Sequence, residues 1–251
     1  MVESSAKEPQ RIPGPLLPQG FYDRPAVEVA PELLGAVLVH DGPEGCTCGR
    51  IVEVEAYAGP EDRAAHSWGG RRTARTEVMY GPPGRTYVFA IYGMHWCFNV
   101  VAGPGGKPEA ILVRALEPLC GLELMRRRRS RPARLRGPQP EVGAAPARLN
   151  ETFHCHSSPA AERLVESRRP ERASRLLTAG PARLCQALGI TGEAYGLPLW
   201  EPSSPLRIHR GEAPLPPGRI ATGPRVGVDY AGAWRERPWR FWIRDNPFVS
   251  A

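Results

Sequence analysis

Apolar and polar positions along the chain change period several times, and each change marks an element. Over 27–34 apolar residues recur near helical spacing and Gly35 supplies a stop, which predicts a short helix. Residues 36–40 read as a strand, and 41–49, with three glycines and a proline, read as a hairpin connection. From 50 to 57 the chain alternates, with Val52, Val54 and Ala56 facing one way and Glu53, Glu55 and Tyr57 the other. Residues 59–83 carry charge, glycine and histidine with little periodicity, the mark of a long functional or disordered loop. Strand patterns over 85–92 and 96–101 flank Tyr92-Gly93-Met94 and predict a hairpin with those three residues at its tip. A strand over 109–116 and a helix over 119–129 follow. The segment 180–189 has proline near its start and glycine after its end, so a helix is expected there. Late strands are expected near 219–228 and 239–244. Strands mixed with a few helices indicate an α+β fold, with a single domain over 19–251.

Two segments break the pattern. Residues 1–18 are polar and proline-rich and are expected to be a disordered tail. Residues 130–174 combine arginines and prolines with little apolar periodicity and read as a flexible insert. Within the run Arg126–Arg129, solvated side chains are expected, at most touching nucleic acid without specificity.

Charge narrows the partner. The chain of 251 residues has a net charge of +7, which favours an anionic partner. Lys7 and Lys107 are the only lysines among 33 basic residues, so the positive charge is nearly all guanidinium, whose planar fork suits phosphate. Six cysteines are too sparse for a disulfide framework, no signal-peptide pattern opens the chain, and no run of 18 apolar residues occurs. A reduced, cytoplasmic protein is expected. His154-Cys155-His156 and Cys46-Thr-Cys48 lack zinc-ligand spacing, so no metal is expected, and no Gly-rich nucleotide loop is present.

Three features could carry chemistry. Glu55 shares a strand face with Tyr57 and is followed closely by His66, and a carboxylate beside an aromatic ring and an imidazole can hold and deprotonate a water. A solvated strand face is the commoner setting for such a residue. Tyr92 at a hairpin tip could project into a base stack, or close a strand end in the core. Arg71, Arg72, Arg75, Arg85 and Arg114 could line a phosphate-binding face.

Taken together the residues resemble the alkyladenine (3-methyladenine) DNA glycosylases. The likeness is carried by Glu53-Val-Glu55-Ala-Tyr57 with Asp62 and His66, and by Tyr87-Val-Phe89 with Tyr92-Gly93-Met94 and Asn99. It continues through Leu112-Val-Arg114 to Pro118, Gly180 to Leu188, Arg225-Val-Gly-Val228, and Arg240 to Ser250, covering roughly 20–128 and 176–250. The resemblance implies a single α+β domain with a curved antiparallel sheet flanked by helices and a protruding hairpin. It implies Glu55 as the general base, a base pocket of Tyr57, His66, Phe89, Asn99 and Arg114, and Tyr92 filling the gap left by a flipped nucleotide with Met94 supporting it. Arg71 and Arg75 would contact phosphate. The partner would be double-stranded DNA containing damaged bases, met by a monomer without cofactor. Phe89 stands where the family commonly has tyrosine, which keeps the ring and removes a hydroxyl. With lysine so scarce, a Schiff-base route has few amines to use, so hydrolysis that leaves an abasic site is expected.

Two other classes fit parts of the pattern. A binding module would sense damaged DNA without cutting it. A sugar glycosidase would use Glu53 and Glu55 as its acid/base pair.

Overall fold

The computed structural model describes residues 14–132, 172–216 and 218–250. Among them eight strands form one open antiparallel sheet with five helices around it, an α+β domain. The strands are β1 (Val37–Gly42), β2 (Gly45–Tyr57), β3 (Thr86–Ile91), β4 (His95–Ala102), β5 (Glu109–Cys120), β6 (Leu206–His209), β7 (Ile220–Gly223) and β8 (Arg240–Ile243). Their order is β3-β4-β5-β2-β1-β6, with β8 joined to both β2 and β7. The helices are α1 (Gln19–Tyr22), α2 (Ala26–Leu33), α3 (Leu122–Ser130), α4 (Arg172–Arg175) and α5 (Pro181–Leu188).

Strand β2 organises the sheet. One edge pairs with β5 along nearly its whole length. The other edge pairs first with β1, Val37 opposite Arg50, and then with β8, Glu53 opposite Trp242 and Glu55 opposite Arg240. The register against β5 shifts on both sides of Glu53, an irregularity of the kind that re-aims side chains next to a site. Val52, Val54 and Ala56, the predicted apolar face, lie in the main core. The opposite face is covered too: Glu53 and Glu55 are fully buried, so the solvated-face setting does not apply. Helix α2 packs on β2, and α5 packs on β4 and β5 with α3 beside it.

Several boundaries differ from expectation. The 41–49 connection is a turn of only Pro43 and Glu44, because β1 and β2 stay paired out to Gly42 opposite Gly45. Gly49 sits inside the strand, where a Cβ would press to 3.0 Å against the Glu117 carbonyl oxygen. Strand β5 runs on to Cys120, so α3 starts at Leu122 rather than 119. Gly121 makes the turn at φ +72°, with a would-be Cβ 2.4 Å from the Cys46 carbonyl oxygen. Strand β7 stops at Gly223, because 226–228 leave the sheet to line the site described below. The 59–83 loop contains three short 3₁₀ turns. Strand β6 and the 3₁₀ turn Asp229–Glu236 had no sequence signal.

The two non-periodic segments fall mostly outside the described residues, which omit 1–13 and 133–171. The described end of the tail is ordered: Leu17 is buried and donates its N–H to the Ile208 carbonyl, and Leu16 bridges to His209. The arginine run is not simply solvated. Arg128 is buried, pairs with Glu44, and donates to the Ala187 and Leu188 carbonyls that end α5, satisfying acceptors a helix terminus leaves open. No helix among the described residues is long and apolar enough to cross a membrane.

Candidate active site

Two carboxylates on one strand have different surroundings. Glu53 accepts from Arg114 Nε at 2.9 Å, Arg240 Nε at 2.7 Å, the Ser250 hydroxyl at 2.9 Å and the Ser250 N–H at 2.7 Å. Strands β2, β5 and β8 and the segment at Ser250 thus converge on a saturated anion. Glu55 has fewer partners: the Val226 N–H at 2.7 Å on Oε1 and the Tyr57 hydroxyl at 2.9 Å on Oε2. Arg114 lies 3.3 Å from Oε1. Burial raises the Glu55 carboxyl above the usual range, and Arg114, the Val226 N–H and the Tyr57 hydroxyl oppose that rise. The result is a carboxylate more basic than a solvated one. The pair is therefore not the matched acid and base that a sugar glycosidase would need, because Glu53 is occupied.

Both hydrogen-bond partners of Glu55 line a cavity of about 100 Å³. Its other walls include His66 and Ala64 from the loop after β2, Met79, Tyr87 and Phe89 from β3, Asn99 from β4, Leu112 from β5, and Val228 and Tyr230 after β7. Adjacent antiparallel strands put Tyr87 opposite Asn99 and Asn99 opposite Leu112, so alternation across three strands builds one wall. Asn99 donates to the Tyr87 carbonyl at 3.0 Å. The His66 ring meets the Phe89 ring edge-on at 4.7 Å, and its Nδ1 is 2.7 Å from the Tyr87 hydroxyl. Burial against these rings, with Arg75 and Arg71 nearby, pushes the imidazole down to about 4, so it is neutral at pH 7.

The remaining predicted residues fall in three places. Arg114 lies behind Glu55 rather than on the cavity lining, held by Glu53 and Glu55. Tyr92 and Met94 stand on the β3–β4 turn, 86% and 50% exposed. The turn is closed by the Met94 N–H on the Ile91 carbonyl, with both Tyr92 (φ +51°) and Gly93 (φ +63°) left-handed. Tyr92 is thus not a core side chain, and it holds a left-handed backbone conformation that favours glycine and disfavours a bulky aromatic. Arg71 and Arg75 are exposed, with the Arg75 guanidinium 4.4 Å over the Phe89 ring at the cavity rim. Of the other arginines proposed for a phosphate face, Arg72 pairs with Glu77 and Arg85 donates to the Gly196 carbonyl.

Sequence reasoning missed two contributors. The Val226 N–H is a backbone group, invisible to residue type. Arg225 and Asp62 stood inside recognised motifs without a role, and the structure makes them a buried pair beneath Tyr57. Among the described residues no cluster of potential metal ligands occurs. Lys107 is held protonated by Glu109 at 2.8 Å, with Glu61 near, and does not line the cavity.

The chain was compared with known proteins. The family model of methylpurine-DNA glycosylase matches residues 20–166 and 158–247. A relative from Bacillus cereus is 42% identical over 236 residues, 93% of this chain and 98% of the relative. One from Bacillus licheniformis is 43% identical over 234 residues, 93% of this chain and 96% of the relative. Both carry the name "Putative 3-methyladenine DNA glycosylase". The buried carboxylate, the aromatic cavity and the sequence likeness over nearly the whole chain agree: this protein belongs to the methylpurine-DNA glycosylase family.

Proposed function

We propose that this DNA glycosylase rotates an alkylated purine nucleotide out of duplex DNA into the cavity and hydrolyses the bond from the base to the sugar, leaving an abasic site. The observation that carries the reading is Glu55, a fully buried carboxylate tied to two walls of an aromatic cavity. A base inside a duplex is unreachable, and extruding it costs roughly a few kcal/mol. Tyr92 is the side chain that fills the vacated stack, with Met94 beside it, and Arg71 and Arg75 hold phosphates.

Inside the cavity the base lies against Tyr57, His66 and Phe89, with Asn99 at its edge. A base alkylated on a ring nitrogen is cationic and gains about 1–2 kcal/mol from a desolvated aromatic face. Oε2 of Glu55, which accepts from the Tyr57 hydroxyl alone, retains a lone pair and accepts the proton of a water as that water attacks the sugar C1′. Arg114 favours the ionised form of Glu55 against the cost of burial. The cationic base departs without further protonation. His66 is neutral at pH 7 and is a poor acid for a neutral leaving group. The enzyme therefore acts best on cationic lesions, 3-methyladenine and 7-methylguanine, and more slowly on hypoxanthine or ethenoadenine. Water is the nucleophile, because Lys107 is ion-paired away from the cavity.

The test is base release from duplexes carrying each of these lesions, by wild type and by Glu55→Gln. Wild type is expected to release cationic bases, and the variant to bind the same duplexes and release nothing measurable. Equal release by both proteins would remove Glu55 from the mechanism. Tight lesion binding without release by wild type would make the protein a damage sensor.

A further inference from the structure

The cavity wall at Tyr57 has a charged backing. The Arg225 guanidinium lies 4.8 Å from the centre of the Tyr57 ring and 5.1 Å from that of Trp239, so it is sandwiched between the two. Its side chain is wholly inaccessible, as is that of Asp62, with which it forms a two-pronged pair, Nη1 to Oδ2 and Nη2 to Oδ1, the latter at 2.9 Å. Arg225 also donates to the Ala56 carbonyl at 3.0 Å and the Trp234 carbonyl at 3.2 Å. Asp62 in turn accepts the N–H groups of Ala58 and Ala64.

The pair supports both hydrogen-bond partners of Glu55. Arg225 precedes Val226, whose N–H is on Glu55, and it backs the ring whose hydroxyl is on Glu55. Asp62 fixes Ala64 in the cavity wall. A clamp of this geometry would also be served by a neutral hydrogen-bonded pair. A full charge pair in a dry site is costly to maintain, so its charges invite a second role.

We propose that Arg225 and Asp62 are positioning residues for Tyr57 that also set the charge preference of the base pocket. This rests on the reading that the extruded base stacks on the open face of Tyr57. A base stacked there lies roughly 8 Å from the guanidinium carbon, close enough for an unscreened charge to be felt. Arg225 alone would repel a cationic base through the ring. Asp62, bonded to it, cancels most of that field and leaves the electron-rich face of Tyr57 available to a cation. The pair thus holds the aromatic wall with a strong donor while keeping the wall neutral behind.

The two charges make opposite predictions when removed singly, which a purely structural clamp does not. In the Glu55→Gln background, equilibrium binding is measured to one duplex carrying cationic 7-methylguanine and to the same duplex carrying neutral hypoxanthine. Arg225→Gln leaves Asp62 uncompensated and is expected to shift the affinity ratio toward 7-methylguanine by roughly tenfold. Asp62→Asn leaves Arg225 uncompensated and is expected to shift it toward hypoxanthine by a similar factor. The double variant is expected to return near the starting ratio, whatever it loses in overall affinity. Arg225→Lys keeps the charge without the fork and supplies the control if Arg225→Gln does not fold: its ratio is expected to stay put while affinity for both lesions falls. Ratios that move the same way in both single variants, or that do not move, overturn the inference. If a protein with Glu55 intact releases neither base, it is the glycosylase reading that fails instead.

Discussion

The inner end of β2 and the β3–β4 turn are built in opposite ways. At the first, Glu53, Glu55 and Arg114 are buried, and the two carboxylates are hydrogen-bonded or ion-paired from several separate segments of the chain. At the second, Tyr92 stands 86% exposed on two residues of left-handed backbone, and its side chain supports nothing else. The contrast fits the two tasks of the proposed mechanism. Chemistry needs a carboxylate whose position and proton affinity do not drift, so it is fixed from several directions. Insertion into DNA needs a side chain free of the protein until DNA arrives. Strain at the tip is tolerated there because the neighbouring strands over-determine the turn.

The largest effect that would sharpen this contrast is on rate. Glu55→Gln is expected to lower single-turnover base release by at least about a thousandfold. The same change is expected to stabilise the fold. The folded-state value of Glu55 is raised, so its contribution to stability is present at low pH and lost as pH rises through that value. Above that value the buried carboxylate is a burden, and glutamine removes it. A rise of a few degrees in the thermal midpoint is expected, since ~1 kcal/mol is worth roughly 2–4 °C at this size. A fall in the midpoint would mean that Glu55 holds the fold together as Glu53 does.

Glu53 should behave in the reverse manner. Glu53→Ala removes the anion shared by buried Arg114, which keeps only Glu55, and half-buried Arg240, and is expected to cost about 3–5 kcal/mol, measured by urea unfolding. Loss of activity in that variant should track loss of folded protein. A well-folded Glu53→Ala that releases no base would give Glu53 a chemical role and erase the difference between the two carboxylates.

At the turn, Tyr92→Ala is expected to reduce release from duplex by roughly tenfold or more while leaving the unfolding midpoint unchanged. Tyr92→Gly should go further on stability alone, gaining about 1 kcal/mol from relief of the positive φ. If Tyr92→Ala unfolds more readily, the turn is a structural element and not a probe. The smallest effect is at the cavity rim. His66 is lowered from 6.5 to about 4, so between those values the unfolded chain binds a proton that the folded chain does not, and stability falls as pH is lowered through that window. The ring is exposed on its outer side and screened there, so the slope removed by His66→Gln should amount to less than ~1 kcal/mol between pH 7 and 4.

Much of this was legible in the sequence. The 50–57 alternation located Glu55 and Tyr57 on one strand face, and the pattern around 92–94 located the turn, because period and turn chemistry are local properties. The proline and glycine of α5 marked both its ends for the same reason. Strand lengths were less legible: β1, β2 and β5 extend beyond their apolar patterns because a partner strand continues to supply hydrogen bonds. Strand β6 and the ordered tail at Leu17 depend on each other and on the sheet edge, which no local window contains. Arg128 resembled its solvated neighbours until α5 presented its terminal carbonyls.

Residue type and spacing alone determined the α+β class, the acidic and aromatic inventory of the site, and the family likeness. What only the tertiary structure decided was how differently two similar carboxylates are held. Glu53 and Glu55 are two residues apart on one strand and chemically the same. Arg240 and Ser250 reach the first and Tyr57 and Val226 the second, from positions up to 197 residues away. Proton affinity is set by burial and partners in space, and those are properties of the folded chain.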